Sequence, residues 1–142
     1  MIKLLDILLE EKQEKYHILK QLRSPEERKK NYLIATQQKI QQYIKDGSKG
    51  YLDLRGTPIT FLPNDLTVGG GLDLEDTPIT SLPDNLTVGG YLYLNGTPIT
   101  SLPDNLKVGG SLYLRNTPLS KTHTVYQIRQ MAPGVKGRII LK

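Results

Sequence analysis

Residues 51–119 decide the fold. They read YLDLRGTPITFLPNDLTVGG at 51–70, GLDLEDTPITSLPDNLTVGG at 71–90, YLYLNGTPITSLPDNLKVGG at 91–110, and a partial copy, SLYLRNTPL, at 111–119. Three units of twenty residues follow one another without insertion. Leu-x-Leu, Thr-Pro, Ile-Thr (Leu119 for Ile in the partial copy), Leu-Pro and Val-Gly-Gly recur at fixed places. Self-similarity at this period is the mark of a solenoid, in which each turn rests on its neighbours and none is stable alone.

One copy shows why. Leu92 and Leu94 are two apart and share one side of an extended strand, while Tyr91, Tyr93 and Asn95 take the other. Ile99, Leu102, Leu106 and Val108 bring the chain back around the far side and fill the same interior. Thr57, Thr77, Thr97 and Thr117 form a column of hydroxyls for backbone groups that a buried turn would otherwise orphan. Pro58, Pro78, Pro98 and Pro118 follow, fixing φ and removing a donor. The Gly-Gly pairs before each strand are expected to supply positive φ where the chain turns back into the sheet.

These residues resemble the leucine-rich repeats of the short bacterial type. The leucines match at 52/54, 72/74, 92/94 and 112/114, the next apolar position at Ile59, Ile79, Ile99 and Leu119, and the Leu-Pro steps at 62–63, 82–83 and 102–103. The family's ladder asparagine is threonine in every copy here. The wording T-P-I-T-S-L-P-D-N-L is closest to repeats of phage-encoded and other bacterial proteins. The resemblance implies an α/β solenoid with a parallel, concave β-sheet and an extended convex side. It also implies a helical hairpin cap before the first repeat. Some such proteins carry an appended ubiquitin-ligase domain with a catalytic cysteine; this chain has no Cys, so that activity does not carry over.

The flanks fit caps. Residues 2–22 place Leu5, Leu9, Tyr16, Leu19 and Leu22 at helical spacing, with a charged run between them. Ser24-Pro25-Glu26-Glu27 is a helix start. The second helix is expected to run to Lys45, with Leu33, Thr36, Ile40, Tyr43 and Ile44 on one side, and to end at Asp46-Gly47. A solenoid end exposes apolar side chains and an unpaired edge, which such a hairpin would cover. After the repeats, residues 121–131 are expected to form one helix with Val125, Ile128 and Met131 inward. Val135, Gly137, Ile139 and Leu141 then repeat the spacing of Val108, Gly110, Leu112 and Leu114. This predicts a fifth strand with Arg138, Ile140 and Lys142 facing outward. The expected organisation is a cap at 1–49, repeats at 50–120 and a helix–strand cap at 121–142.

Composition narrows the function classes. Apolar residues make up 37% of the chain, which suits a thin solenoid better than a globular core. The net charge of +5 is unevenly spread: the first fifty residues and the last twenty-two are basic, and the repeats between them are acidic. His17 and His123 are the only histidines, and both are expected at the surface. No metal site and no cofactor is expected. The opening MIKLLDILLE carries charges and no cleavage site, so it does not read as a secretory signal. No stretch reaches the roughly 18 apolar residues of a membrane span. A cytoplasmic location is expected, that of the host if the chain is phage-encoded.

Stacking sets like positions in columns: Tyr51, Gly71, Tyr91 and Ser111; Asp53, Asp73, Tyr93 and Tyr113; Arg55, Glu75, Asn95 and Arg115. Half of the eight tyrosines lie here. Tyrosines flanked by carboxylates and arginines suit a protein-binding surface, although tyrosine is also a good residue for a half-exposed strand. The expected contact residues are Tyr51, Asp53, Arg55, Asp73, Glu75, Tyr91, Tyr93, Asn95, Tyr113 and Arg115. The adjacent carboxylates Asp53 and Asp73, about 4.8 Å apart by strand spacing, lie on an open sheet without a pocket or a histidine partner, so no catalytic residue is expected. The leading expectation is a non-enzymatic protein-interaction module. By resemblance it would come from a phage or bacterium and act on a host or competitor protein, and its size and lack of chemistry would fit an inhibitor of a host protein. Two rival readings stand beside it. Arg23, Arg28, Lys29 and Lys30 cluster at the turn between the helices and could meet phosphates of a nucleic acid or ribonucleoprotein. An exposed solenoid end could also pair two copies of the chain as a self-assembling component.

Overall fold

The structure, a computed structural model, describes residues 3–21 and 24–142. It divides into two compact units, Met1–Tyr32 and Leu33–Lys142. Arg23 and Leu22 lie outside the described residues, as do the side chains of Leu5 and Leu19.

The first unit holds helix α1 (Leu4–Gln21) and the start of α2 (Pro25–Lys45). α2 begins as its sequence predicts. The Glu27 amide donates to Ser24 Oγ at 3.2 Å and the Ser24 amide to Glu27 Oε2 at 3.1 Å, a reciprocal cap that satisfies two donors of the first turn. The apolar residues at helical spacing on α1 do not all find cover: Leu9 and Tyr16 are exposed, as are Leu4, Ile7 and Leu8. The described apolar residues gather toward the two ends of the helix, and the charged run 10–15 interrupts any continuous stripe.

The second unit is a parallel solenoid. Strands β1 (Leu52–Asp53), β3 (Leu72–Asp73), β5 (Leu92–Tyr93), β7 (Leu112–Tyr113) and β8 (Ile139–Ile140) form one five-stranded sheet in that order. Every pairing is parallel, with Leu52, Leu72, Leu92, Leu112 and Ile139 in one register column. The predicted fifth strand is therefore present, and Val135 bridges to Val108 as its spacing requires. The return path is more ordered than the extended convex side expected. Strands β2 (Thr67–Val68), β4 (Thr87–Val88) and β6 (Lys107–Val108) form a second, three-stranded parallel sheet. Between the sheets lies an apolar interior in which Leu72, Leu74, Ile79 and Leu86, with their counterparts in the next copy, are fully enclosed.

Two features set the shape of each turn. Thr57, Thr77, Thr97 and Thr117 are buried, and each hydroxyl donates to the carbonyl three residues earlier in its own turn at 2.7–2.8 Å. The residue before each threonine is left-handed, with φ of 63° at Gly56, 55° at Asp76, 71° at Gly96 and 56° at Asn116. Gly, Asp and Asn are the types that accept that conformation most readily, which explains why this column varies only among them. The Gly-Gly pairs are corrected in their reason, since none has positive φ. Their glycines are required by close approach: a Cβ on Gly89 would fall on the carbonyl oxygen of Gly69, and one on Gly109 on that of Gly89.

Both ends of the ladder are closed by a cation. In the inner turns, the carbonyls of Asp73, Tyr93, Tyr113 and Ile140 each accept from a leucine amide of the preceding turn. Asp53 has no preceding turn, and its carbonyl accepts from Lys39 Nζ of α2 at 2.6 Å. Thr36 and Ile40 of the same helix are buried, and Tyr43 donates its hydroxyl to the Gly50 carbonyl at 2.8 Å. With Tyr43 on the inner side, Ile44 is exposed rather than inward. The helix ends at Gly47, φ 95°, where the Ser48 amide reaches back to the Tyr43 carbonyl and the Gly47 amide to that of Ile44, a Schellman closure.

At the other end, the Val108 and Gly110 carbonyls accept from Lys136 and Gly137 of the last turn. The next carbonyls in those columns, Val135 and Gly137, have no further turn. Arg129 supplies both donors, Nη1 to Val135 at 2.9 Å and Nη2 to Gly137 at 2.8 Å. The single helix expected at 121–131 is corrected to two: α3 (Pro118–Thr122), capped by Thr117, and α4 (Val125–Met131), capped by Thr124. His123, extended at φ −131°, separates them. Ile128 is buried and Met131 partly so, but Val125 is exposed, because it is the first residue of a helix that starts afresh at Thr124.

Candidate functional site

The outer face of the five-stranded sheet carries the three columns of variable residues. Each strand positions them by alternation: Leu52 and Leu54 turn into the core, so Tyr51, Asp53 and Arg55 turn out. The same holds in the following copies and in the last strand, where Arg138, Ile140 and Lys142 continue the three columns.

In the N-terminal half the side chains satisfy one another. Tyr51 donates its hydroxyl to Asp73 Oδ2 at 2.7 Å. Arg55 donates to Asp53 through Nε to Oδ1 at 3.2 Å and Nη2 to Oδ2 at 3.1 Å, and its Nε also lies 3.4 Å from Asp73 Oδ2. Asp73 Oδ1 accepts the Glu75 amide at 3.0 Å. Asp73 is thereby only 4% exposed, and acts as the anchor for Tyr51 and Arg55 rather than as a surface contact. The glycine at 71 makes this arrangement possible, because a Cβ there would stand 3.0 Å from the Tyr51 ring. The hydrogen bond from the Arg55 side chain holds the Asp53 carboxyl below the usual aspartate range. Burial first, then the hydrogen bond to Asp73, pushes the Tyr51 phenol well above its ordinary value. The two carboxylates adjacent in register are thus engaged by one guanidinium.

The C-terminal half is aromatic. Tyr93 and Tyr113 stack with ring centroids 4.7 Å apart at 21°, and Tyr91 meets each edge-on at 6.2 Å. Tyr91 is 50% exposed, and Tyr93 and Tyr113 are half-buried. Burial, chiefly, and the neighbouring Tyr113 raise the Tyr93 phenol above its ordinary value. In the third column Asn95 donates to Glu75 Oε1, and its Oδ1 accepts the Arg115 amide at 2.8 Å. The Arg115 side chain is exposed, as are Arg138 and Lys142, and none of the three has a carboxylate within ion-pairing distance among the described residues.

All ten expected contact residues therefore fall on one sheet face, in two groups of different chemistry. Of the rival basic cluster, Arg28, Lys29 and Lys30 are exposed on the first turns of α2, and Arg23 lies outside the described residues. Lys39 and Arg129 were not foreseen, because they lie outside the repeats and nothing in their spacing marks them. No group of three or more His, Cys, Asp or Glu is arranged to hold a metal ion among the described residues, and no described helix is long and apolar enough to cross a membrane. Compared with models of known protein families, with characterised proteins and with solved structures, the chain matches none.

Proposed function

We propose that this chain is a non-enzymatic recognition module that binds a partner protein through the outer face of its five-stranded sheet. The observation that carries the reading is the Tyr91–Tyr93–Tyr113 cluster, three rings locked together on a rigid sheet and left open on one side. Tyrosines held in one conformation supply contact area at low entropic cost and are frequent energetic anchors of interfaces. The leucine columns, the Leu-Pro steps and the parallel stacking support reading the solenoid as a leucine-rich repeat of the short bacterial type, whose sheet face would then be concave. The resemblance would make the chain a phage or bacterial factor acting on a host or competitor protein, and its small size and lack of catalytic chemistry suit inhibition of a host protein.

The test is capture of a protein from bacterial lysate by the tagged chain, with nuclease-treated lysate as control. Tyr93→Ala combined with Tyr113→Ala abolishes capture while the circular dichroism spectrum stays unchanged. Capture that survives the double substitution places the binding surface elsewhere. Charge reversal at Arg28, Lys29 and Lys30 leaves capture intact.

A further inference from the structure

The two halves of the outer face differ in how they treat a carboxylate. In the first half, Asp53 and Asp73 fill the middle column, and a tyrosine hydroxyl and an arginine fork close on them. In the second half the same donor types recur, but the middle column holds Tyr93, Tyr113 and Ile140. Arg138 and Lys142 continue the outer columns beyond Ser111 and Arg115, so the tyrosines are bordered by three cations without a partner carboxylate among the described residues.

We propose that this C-terminal half binds an acidic peptide segment, whose Asp or Glu side chains meet Arg115, Arg138 and Lys142 while its apolar groups lie on the tyrosine cluster. The inference rests on the protein-binding reading above and specifies the partner's chemistry. Guanidinium–carboxylate pairing is directional and bidentate where geometry permits, and the Arg55–Asp53 fork shows that this sheet supports it at a separation of two residues. Charge complementarity also orients the partner. A strand of nucleic acid tracking along the sheet would carry its phosphates on toward Asp53, Asp73 and Glu75, and the inner faces of Tyr93 and Tyr113 are already spent on each other. A second copy of the chain offers in those three residues carboxylates that Arg55 and Asn95 already hold.

The experiment is a selection of short random peptides on the full chain and, in parallel, on the chain carrying Arg115→Glu and Arg138→Glu, both exposed positions. Matching thermal melts establish that the variant is folded. The wild type enriches Asp and Glu over the unselected pool, and the variant enriches Lys and Arg instead. An enriched peptide rewritten with Asn and Gln binds about tenfold more weakly by fluorescence anisotropy. Enrichment without an acidic bias overturns the inference, and the broader reading survives it if Tyr93→Ala with Tyr113→Ala still abolishes binding of those peptides. Oligothymidylate binding as tightly as the best peptide overturns it in favour of nucleic acid. No enrichment on the wild type overturns it outright.

Discussion

The two halves of the outer face share columns, register and strand length, and differ in the middle column: Asp53 and Asp73 in the first two turns, Tyr93 and Tyr113 in the next two. That difference separates a surface that answers its own polar groups from one that does not. In the first half a single arginine and a tyrosine engage both carboxylates, so those charges are already answered within the sheet. In the second, aromatic rings hold one another in place but leave area and charge facing outward. A repeat lattice thus offers the same seats in every turn, and a change of occupant converts an internal brace into a recognition surface.

The comparison is broken most forcibly at Asp73. Asp73→Ala leaves the Tyr51 hydroxyl and the Glu75 amide without their acceptor and exposes the seam between two turns. Thermal and urea unfolding are expected to show a loss of about 1–3 kcal/mol, while peptide binding at the other half stays at the wild-type level. A drop in binding equal to that of the tyrosine variants would mean that the halves do not act separately.

The comparison is sharpened by making the second half resemble the first. Tyr113→Asp sets a carboxylate two residues before Arg115, the spacing that joins Asp53 to Arg55. Acidic peptide affinity is expected to fall about tenfold or more, equivalent to about 1.4 kcal/mol, with stability changed by about 1 kcal/mol or less as one aromatic stack is exchanged for an ion pair. Unchanged affinity in a titration would sever Arg115 from recognition.

The smallest effect is the pH response of the first half. The folded-state pKa of Asp53 lies below its unfolded value, so its contribution is fully present above about pH 4 and is lost as pH falls through the depressed value. Melting temperatures recorded from neutral to acid pH should therefore fall less steeply for Asp53→Asn than for the wild type below the ordinary aspartate range. Asp53 is partly exposed and its ion pair screened, so the difference is modest.

The sequence carried most of the scaffold because packing repeats and therefore leaves a period. Leu92, Leu94, Ile99 and Leu106 could be placed inside from spacing alone, and Ile139 could be aligned with Leu112 across a break in the repeat. The ten face residues were legible for the same reason, since strand alternation sends them to one side. What was not legible depends on contacts between columns or on single events. Asp73 looks like a surface carboxylate until the Tyr51 hydroxyl and Arg55 guanidinium are seen to converge on it. The Gly-Gly pairs were located correctly, but their cause is the nearness of the adjacent turn, which no one-dimensional pattern displays. The break at His123 arises because Thr124 caps a new helix start, a local choice that hydrophobic spacing does not record.

Arg129 has a bearing on ancestry. Its two hydrogen bonds stand where the amides of another turn would donate, and Lys39 does the same at the opposite edge. Lys39 grips a backbone carbonyl of the first copy, an atom that every copy offers whatever its side chains, and Arg129 grips carbonyls of its own closing turn. Internal duplication or deletion of a whole copy therefore leaves each closure its usual substrate, and the array can change length without any concerted change at its ends. The near identity of the copies at 71–90 and 91–110 outside the face columns is the pattern that such duplication leaves behind, with divergence concentrated where the lattice imposes nothing.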